Sequence, residues 1–206
     1  MQARILIPDF GMGNLHSVER SLHRMNVVPV ISSDPAEIKK ADKIILPGVG
    51  HFKKAMENLK ALNLIEELNE AVLIKKKPVL GICLGLQLMT TKSEEGNING
   101  LGWIDASVVK FSVQDTLTYK VPHIGWNKIK FSKKSNLTNN IPDLSEFYFL
   151  HSYHLVSNNK EDVLSETNYE YNFTSAIEKN NIWGVQFHPE KSHSMGNTLL
   201  NNFISL

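Results

Sequence analysis

Short apolar runs alternate with amphipathic segments through the N-terminal half of the chain. Four runs have the composition of strands buried on both faces, at residues 4–8, 27–31, 43–46 and 78–82. Helical spacing of apolar residues predicts three helices, at residues 14–25, residues 52–75 with a break near Asn63, and residues 84–91. This alternation predicts parallel strands joined by crossover helices.

The pattern changes from about Val108 onward. Strand-like runs, such as residues 121–131 and 147–150, are now separated by polar, turn-rich stretches. Residues 175–178 and 182–187 flank the turn signal Lys179-Asn180-Asn181 and are predicted to form a hairpin, and a final amphipathic helix is predicted from about Ser194 to the end. We therefore predict one α/β domain over residues 1–206, with a central, mostly parallel sheet flanked by helices and an antiparallel C-terminal extension.

Charge and composition exclude several classes of function. The 22 Lys and Arg residues against 21 Asp and Glu give a net charge of +1, which lacks the basic excess that a nucleic-acid-binding protein needs. There is no apolar stretch of the roughly 20 residues that span a membrane, and the first ten residues have too short an apolar run for a secretory signal. We expect a cytoplasmic protein, in which the single cysteine is a free thiol.

That cysteine, Cys83, lies in the segment Gly81-Ile82-Cys83-Leu84-Gly85, between a predicted strand and a predicted helix. A sharp strand-to-helix elbow requires small residues two positions before and after the nucleophile, and the glycines meet this requirement. The start of a helix also favours a thiolate. A lone cytosolic cysteine is more often a buried apolar residue, but the flanking glycines favour a nucleophile here.

A thiol nucleophile needs a base, and His188 is the strongest of the eight histidines because it ends a predicted strand and precedes Pro189 and Glu190. Residues i and i+2 of an extended segment point the same way, so that Glu190 can approach His188 and fix its tautomer. In isolation, His-Pro-Glu more often marks a core histidine beside a surface glutamate. Together with the elbow, it predicts a catalytic set of Cys83, His188 and Glu190.

These residues match a known family. The elbow with Gln87, together with Gly184-Val185-Gln186-Phe187-His188-Pro189-Glu190, resembles the class I (triad) glutamine amidotransferases, and within them the HisH glutaminase subunits of imidazole glycerol phosphate synthase. The further motifs that carry this resemblance lie between residues 9 and 192, and include Leu46-Pro47-Gly48-Val49-Gly50-His51-Phe52, His123-Ile124-Gly125-Trp126-Asn127 and Phe147-Tyr148-Phe149-Leu150-His151-Ser152-Tyr153. Phe10, Leu86 and Lys53-Lys54 depart from the family pattern outside the triad.

The resemblance implies a flavodoxin-like fold, no cofactor and roles for further residues. The amide of Leu84, beside the nucleophile, and the Val49–Gly50 peptide are expected to form the oxyanion hole. L-Glutamine is expected to contact Gly50, Gln87, Ser152 and Tyr153. Gln87 follows Cys83 by one helical turn. A heterodimer with a (β/α)8-barrel synthase subunit of HisF type is expected, with its interface at Asn14, Trp126, Tyr148 and Lys191. Ammonia would pass to that subunit to form imidazole glycerol phosphate and the by-product AICAR in histidine biosynthesis.

Other interpretations remain open from the residues alone. His151, His154 and His188 could be metal ligands, but no Cys pair or acidic ligand motif accompanies them and the elbow would have no purpose. Gly11-x-Gly13 fails as a dinucleotide fingerprint because His16 occupies the third glycine position. The same glutaminase could feed a paralogous synthase that aminates a nucleotide-sugar for surface polysaccharide. A noncatalytic or redox-sensing relative of the fold is a third hypothesis.

Overall fold

The computed structural model describes residues 3–206, and the first two residues of the predicted domain lie outside it. The helices are α1 (Leu15–Arg24), α2 (Pro35–Lys40), α3 (Phe52–Ala61), α4 (Leu64–Asn69), α5 (Leu84–Leu88) and α6 (His193–Ser205). The strands are β1 (Ile5–Pro8), β2 (Val30–Ser32), β3 (Lys43–Gly48), β4 (Val79–Cys83), β5 (Thr90–Ser93), β6 (Ile98–Asn99), β7 (Ile104–Lys110), β8 (His123–Lys128), β9 (Lys130–Phe131), β10 (Glu146–His151), β11 (Tyr153–Ser157), β12 (Val163–Tyr169), β13 (Tyr171–Lys179) and β14 (Ile182–Val185). None of the helices in residues 3–206 is long and apolar enough to cross a membrane.

The strands form one large sheet and one small one. The large sheet has the order β2-β1-β3-β4-β14-β13-β11-β7-β5-β6, with β12 beside β13 and β9 beside β12. The first five strands of this order are mutually parallel, and most of the pairs beyond them are antiparallel. Strands β8 and β10 pair separately as an antiparallel ribbon. The predicted α/β fold, with a mostly parallel central sheet and an antiparallel extension, is therefore confirmed.

Buried side chains on the parallel strands alternate between the two faces of the sheet. Leu6, Ile44 and Leu46 belong to the core that α2, α3, α4 and α5 cover. Ile5, Ile7, Ile45 and Leu80 belong to a second core, to which α1 and α6 contribute Val18, Leu22, Leu199, Leu200 and Phe203. Strands β1, β4 and β14 are buried on both faces, so each is a continuous apolar run rather than an alternating one, whereas the edge strand β2 is only half-buried.

Several predicted boundaries are confirmed by the structure. The break near Asn63 is present, because this residue adopts a left-handed conformation with φ 55° between α3 and α4. A turn of π-helix at Glu70–Ile74 then continues α4. Asn14 is the N-cap of α1, where its side chain accepts the N–H of Ser17. The hairpin is formed by β13 and β14, with Lys179 paired to Ile182. The final helix begins at His193, one residue earlier than predicted.

Other predictions need correction. The predicted helix over residues 84–91 is wrong beyond Leu88, since Thr90 and Thr91 begin strand β5, as suits β-branched residues. The second strand is shifted from residues 27–31 to Val30–Ser32. Helix α2 was not predicted, although Asp34 caps it and Pro35 opens it. The hairpin's second strand also pairs in parallel with β4, which extends the parallel part of the sheet.

Candidate active site

Cys83 ends strand β4 and precedes helix α5, with a positive φ of 54° that is strained for any residue except glycine. The two glycines make this elbow possible. A Cβ on Gly81 would lie 2.7 Å from the backbone nitrogen of Leu86, and one on Gly85 would lie 1.6 Å from the carbonyl oxygen of Leu46. The predicted nucleophile elbow is therefore present in the backbone, and both glycines are needed for steric reasons.

Strand pairing brings distant segments of the chain to Cys83. Strand β3 pairs with β4 so that Gly48 lies beside Cys83, which leaves Val49 and Gly50 at the same edge of the sheet. On the other side, β14 pairs with β4 so that Val185 lies beside Ile82, and His188 follows shortly after the end of β14. The site thus forms where the carboxyl ends of three neighbouring parallel strands meet, which is the usual place for a site in an open α/β sheet.

His188 and Glu190 form a buried pair. The Nδ1 atom of His188 lies 2.8 Å from Oε1 of Glu190, and the two side chains are 2% and 3% exposed. The predicted pairing is present. The prediction that the backbone is extended from His188 to Glu190 is wrong, however, because Pro189–Lys191 forms a 3-10 turn. The Nε2 atom of His188 is buried and bonded to no nitrogen or oxygen among residues 3–206, and the Cys83 sulfur is near enough to act on the charge of the ring. Nε2 is therefore the ring nitrogen left to exchange a proton.

The electrostatic surroundings of His188 favour its charged form. Burial alone would lower the pKa of this imidazole, but the Cys83 sulfur and the Glu190 carboxylate outweigh burial and raise that pKa to about 10. The charged ring stabilises the folded state because its pKa exceeds the ordinary value of 6.5. This contribution is complete below about pH 6.5 and is lost as the pH rises through about 10.

We expect the ring of His188 to keep both protons from pH 6 to about pH 9, as measured by ¹⁵N NMR of histidine-labelled protein. His123 is an internal control, since burial lowers its pKa to about 4 and it should stay neutral over the same range. Exchanging Glu190→Gln removes a charge that favours the imidazolium and should lower the pKa of His188. A ring of His188 that titrates near pH 6.5 in the wild-type protein would contradict this assignment.

A cavity of about 270 Å³ opens beside Cys83. Seven predicted site residues line it: Val49, Gly50, Cys83, Leu84, Gln87, Ser152 and Tyr153. The Cys83 sulfur lies 3.8 Å from the carbonyl oxygen of Leu150, another residue of the lining. Gln87 is held in place by a 3.0 Å hydrogen bond from its Nε2 to the carbonyl of Tyr153. The predicted substrate and oxyanion residues are thus gathered around the nucleophile.

Two further polar residues of the site were not predicted. Glu95 lines the cavity, and one of its oxygens accepts the N–H of Phe52 at 2.7 Å, at the start of helix α3. Gln186 is fully buried, and its Nε2 lies 3.6 Å from the Cys83 sulfur while its Oε1 accepts from Gln87 at 3.1 Å. Gln186 follows directly after β14 and stands two residues before His188, and that position was the only signal available in the sequence.

Three of the four predicted interface residues form a cluster on the outer face of the β8–β10 ribbon. Trp126 is 45% exposed and its ring centroid lies 6.1 Å from that of Tyr148. The Nζ atom of Lys191 lies 5.6 Å from the Tyr148 ring centroid. The exposed Ile124 also lies on β8, paired with Leu150 of the cavity lining. An apolar face therefore continues from Trp126 toward the mouth of the cavity.

The histidines considered as metal ligands have other partners. His151 is bonded to His123 and to the carbonyl of Tyr153, whereas His154 is bonded to the hydroxyl of Tyr171. Within residues 3–206, no group of three His, Cys, Asp or Glu side chains could hold a metal ion. Gly13 has a packing role, since a Cβ there would lie 3.1 Å from the Cα of Gly48.

Comparisons with known proteins agree with this geometry. The model of the class I glutamine amidotransferase family matches residues 6–206. The HisH 2 subunit of imidazole glycerol phosphate synthase from Methanococcus maripaludis is 50% identical over 97% of this chain and 98% of its own. The HisH 1 subunit from Campylobacter jejuni is 44% identical over 98% and 100% of the two chains.

Solved structures show the same fold at low identity. PurLQS from Thermotoga maritima superposes with a TM-score of 0.76 at 14% identity, over 100% of this chain and 99% of the other. A glutamine amidotransferase from the same organism gives a TM-score of 0.63 at 18% identity, over 98% of this chain and 82% of the other. Sequence match, fold and elbow thus agree, and the chain belongs to the class I glutamine amidotransferase family, among its HisH subunits.

Proposed function

We propose that this chain is a glutaminase subunit, which hydrolyses L-glutamine to glutamate and ammonia through Cys83, His188 and Glu190. The observation that carries the proposal is the buried His188–Glu190 pair beside a thiol on a glycine-flanked elbow. The cavity at this thiol also suits a small polar amino acid in size. Membership of the glutamine amidotransferases supports glutamine as that amino acid.

The first half of the reaction forms a thioester. An imidazolium at His188 favours the thiolate of Cys83, which attacks the side-chain carbonyl carbon of glutamine. The carbonyl oxygen becomes an oxyanion, and the N–H groups of Leu84 and of the Val49–Gly50 peptide are the proposed donors that stabilise it. When the tetrahedral intermediate collapses, the carbon–nitrogen bond breaks and His188 gives its Nε2 proton to the departing nitrogen, which leaves as ammonia.

The second half hydrolyses the thioester. Neutral His188 accepts a proton from water as the water oxygen attacks the thioester carbon, and a second oxyanion forms. Collapse of this intermediate expels the Cys83 thiolate and releases glutamate, which restores the imidazolium and thiolate. Glu190 holds the ring by its Nδ1 proton and stabilises its positive charge, as the carboxylate does in other triads.

The lining of the cavity offers groups for the amino-acid end of glutamine. Of the described residues in this lining, Glu95 alone carries a carboxylate, and it is proposed to receive the α-ammonium group. Gln87, Gly50 and the backbone of Ser152 and Tyr153 are proposed to hold the rest of the substrate. Such contacts place the amide carbon in front of the sulfur, so that the attack becomes an oriented intramolecular step.

Ammonia freed into water would be protonated and lost, so the proposed site should deliver it to a partner. We propose a heterodimer with a HisF-type (β/α)8-barrel subunit in the cytoplasm, docked on the outer face of β8 and β10 and on Asn14. The relatives named as subunits of imidazole glycerol phosphate synthase favour this partner and its formation of imidazole glycerol phosphate and AICAR. Reconstitution with each candidate synthase and acceptor would distinguish the histidine enzyme from a paralogue that aminates a sugar.

A diazo-ketone analogue of glutamine should alkylate Cys83: the imidazolium of His188 protonates the carbon that bears the diazo group, and the thiolate then attacks that carbon as the carbon–nitrogen bond breaks and N2 leaves. We expect peptide mass spectrometry to locate the adduct on the peptide that contains Cys83, in the presence of the synthase and its ligand. Excess glutamine should protect the thiol. Absence of labelling in the active complex, or labelling that glutamine does not prevent, would favour a redox-sensing relative over a glutaminase.

Exchanging Trp126→Ala should weaken binding of the synthase by about 2 kcal/mol, or about thirtyfold in Kd, as expected for an aromatic anchor in an interface. Titration calorimetry would measure this change. Val28→Ala is a matched control, because Val28 is an exposed apolar residue (78%) that precedes β2 at the opposite edge of the parallel sheet. Equal affinities of the two variants would exclude the ribbon face as the centre of the interface.

A further inference from the structure

A chain of hydrogen-bonded polar side chains, Asn127, His123 and His151, reaches the cavity, where His151 is part of the lining, and has no part in the proposed reaction. The Nδ1 atom of His151 lies 2.8 Å from the carbonyl oxygen of Tyr153. The Nε2 atom of His151 lies 3.1 Å from Nδ1 of His123, and Nε2 of His123 lies 3.4 Å from Nδ2 of Asn127. Both histidines are buried, His123 with 3% and His151 with 6% of its surface exposed.

The partners of this chain fix the direction of every hydrogen bond in it. A carbonyl oxygen only accepts, so Nδ1 of His151 must donate to Tyr153, and Nε2 of a neutral His151 must accept. His123 therefore donates from Nδ1, and its own Nε2 accepts from the amide of Asn127. The orientation of Asn127 is consistent, because its Oδ1 accepts the N–H of Lys128 and its Nδ2 also donates to Asn168.

Burial keeps the two histidines in the neutral form that this direction requires. It lowers the pKa of His123 to about 4 and holds the pKa of His151 well below 6.5. A second proton on His151 would place N–H against N–H between the two rings, which costs free energy in a buried site. At neutral pH, the chain therefore has a single arrangement of protons.

The carbonyl at the end of this chain belongs to the cavity. The Tyr153 carbonyl accepts a second hydrogen bond, at 3.0 Å, from Nε2 of Gln87. Gln87 donates in turn to Gln186, whose amide lies 3.6 Å from the Cys83 sulfur. One carbonyl oxygen thus joins the histidine chain to the glutamine residues that surround the nucleophile. If either donor, His151 or Gln87, were lost, the Tyr153 carbonyl could rotate away from the donor that remains.

We propose that His123 and His151 are positioning residues for the substrate, which hold the Tyr153 carbonyl and, through it, the side chain of Gln87 in the arrangement that receives glutamine. This inference rests on the function proposed above. Neither ring need contact the reacting atoms, since each acts through the backbone of Tyr153. The expected consequence is on the binding of glutamine rather than on the chemical steps.

The same strand also joins this chain to the outer surface. Successive residues of β8 face opposite sides of the ribbon. His123 and Asn127 face inward, whereas Ile124 and Trp126 are exposed on the outer face. A partner that contacts the outer face would therefore contact the strand that carries His123, which in turn donates to His151. The substrate site and the ribbon face share one structural element.

The exchange His123→Phe tests the proposal because it keeps an aromatic ring but removes both ring nitrogens. The His123 ring stacks on Phe149 and Tyr169, with centroids 4.8 and 4.0 Å away, and a phenyl ring can keep this packing. Glutaminase kinetics of the full chain with its synthase should show KM for glutamine raised about tenfold, the effect of losing one buried hydrogen bond. We expect kcat to change less than KM.

His154→Phe is the matched control. His154 is a buried histidine in the same aromatic cluster, but it bonds to Tyr171 rather than to the Tyr153 carbonyl. Its KM should stay near the wild-type value. A third variant, His123→Asn, loses the ring stacking but can donate from its amide to His151, so that it should be less stable than His123→Phe and yet have a lower KM.

Each result has a defined meaning. If KM follows thermal stability across the three variants, or if His123→Phe leaves KM unchanged while the wild type is active, the histidines are structural and the inference is wrong. A wild-type complex that does not hydrolyse glutamine would overturn the proposed function itself and the inference with it. Should His123→Phe fail to fold, ¹⁵N NMR of the wild type still decides, because His123 and His151 must both carry their proton on Nδ1, and a proton on Nε2 of either would overturn the proposal.

Discussion

Exchanging Cys83→Ala should lower glutamine-dependent product formation at least about a thousandfold, because no other group can form the thioester. The same complex should still form product from added ammonium, since the synthase would receive ammonia without the glutaminase reaction. Both rates are measured on one reconstituted complex, with either nitrogen source supplied in excess. A selective loss of the glutamine-dependent rate assigns Cys83 to glutamine hydrolysis alone.

Cys83→Ser controls for the shape of the elbow. Serine keeps a side chain of similar size at the residue with φ 54°, but its hydroxyl is a far weaker nucleophile at neutral pH than a thiolate. This variant should bind the synthase normally and lose nearly as much glutaminase activity as the alanine variant. If both variants lost the ammonium reaction as well as the glutamine reaction, Cys83 would be needed for the structure of the complex. Unchanged glutaminase activity of Cys83→Ala would reject the triad.

The features that local chemistry dictates were predictable from the sequence. Strands buried on both faces are continuous apolar runs, so β1, β3 and β4 were found within two residues of their ends. The elbow was predicted because its glycines are sterically required, and the structure gives the reason as the backbone of Leu46 and Leu86. The His188–Glu190 pair was found because its two members are close in the sequence.

Features that depend on which strands are neighbours were not predictable in the same way. The sequence separates Cys83 from His188 by about half the chain, and only the parallel pairing of β4 with β14 brings the segments together. The same pairing places Gln186 at the sulfur, and in the sequence only its position two residues before His188 marked this residue. Glu95 was missed because it lies in a polar turn whose approach to the cavity depends on β5 and α3.

The second large effect is expected on folding, from the exchange Gly85→Ala. A Cβ at this position would lie 1.6 Å from the carbonyl oxygen of Leu46 and 2.7 Å from its carbonyl carbon. Both atoms belong to the backbone of β3, and β3 is held between β1 and β4 in the parallel sheet. The strand cannot withdraw without breaking these ladders, so helix α5 must move and carry the elbow with it.

We expect Gly85→Ala to lower the free energy of unfolding by more than about 4 kcal/mol, a loss that only severe core defects reach. This loss is a large fraction of the roughly 5–15 kcal/mol that stabilises a typical domain, and the variant should accumulate in the insoluble fraction. Urea unfolding of any soluble protein, followed by circular dichroism, measures the loss. Soluble Gly85→Ala should also fail to react with the diazo-ketone analogue, because the displaced helix moves Cys83.

Gly102→Ala separates this steric clash from the general cost of replacing a glycine. Gly102 has a φ of +71°, which disfavours alanine, but a Cβ there meets no atom within 4 Å. Its cost should be about 1 kcal/mol, from backbone conformation alone. A Gly85→Ala variant no less stable than Gly102→Ala would mean that α5 can move away from β3 freely. The elbow would then not be a rigid support for Cys83, and the positive φ of that residue would have to arise from another constraint.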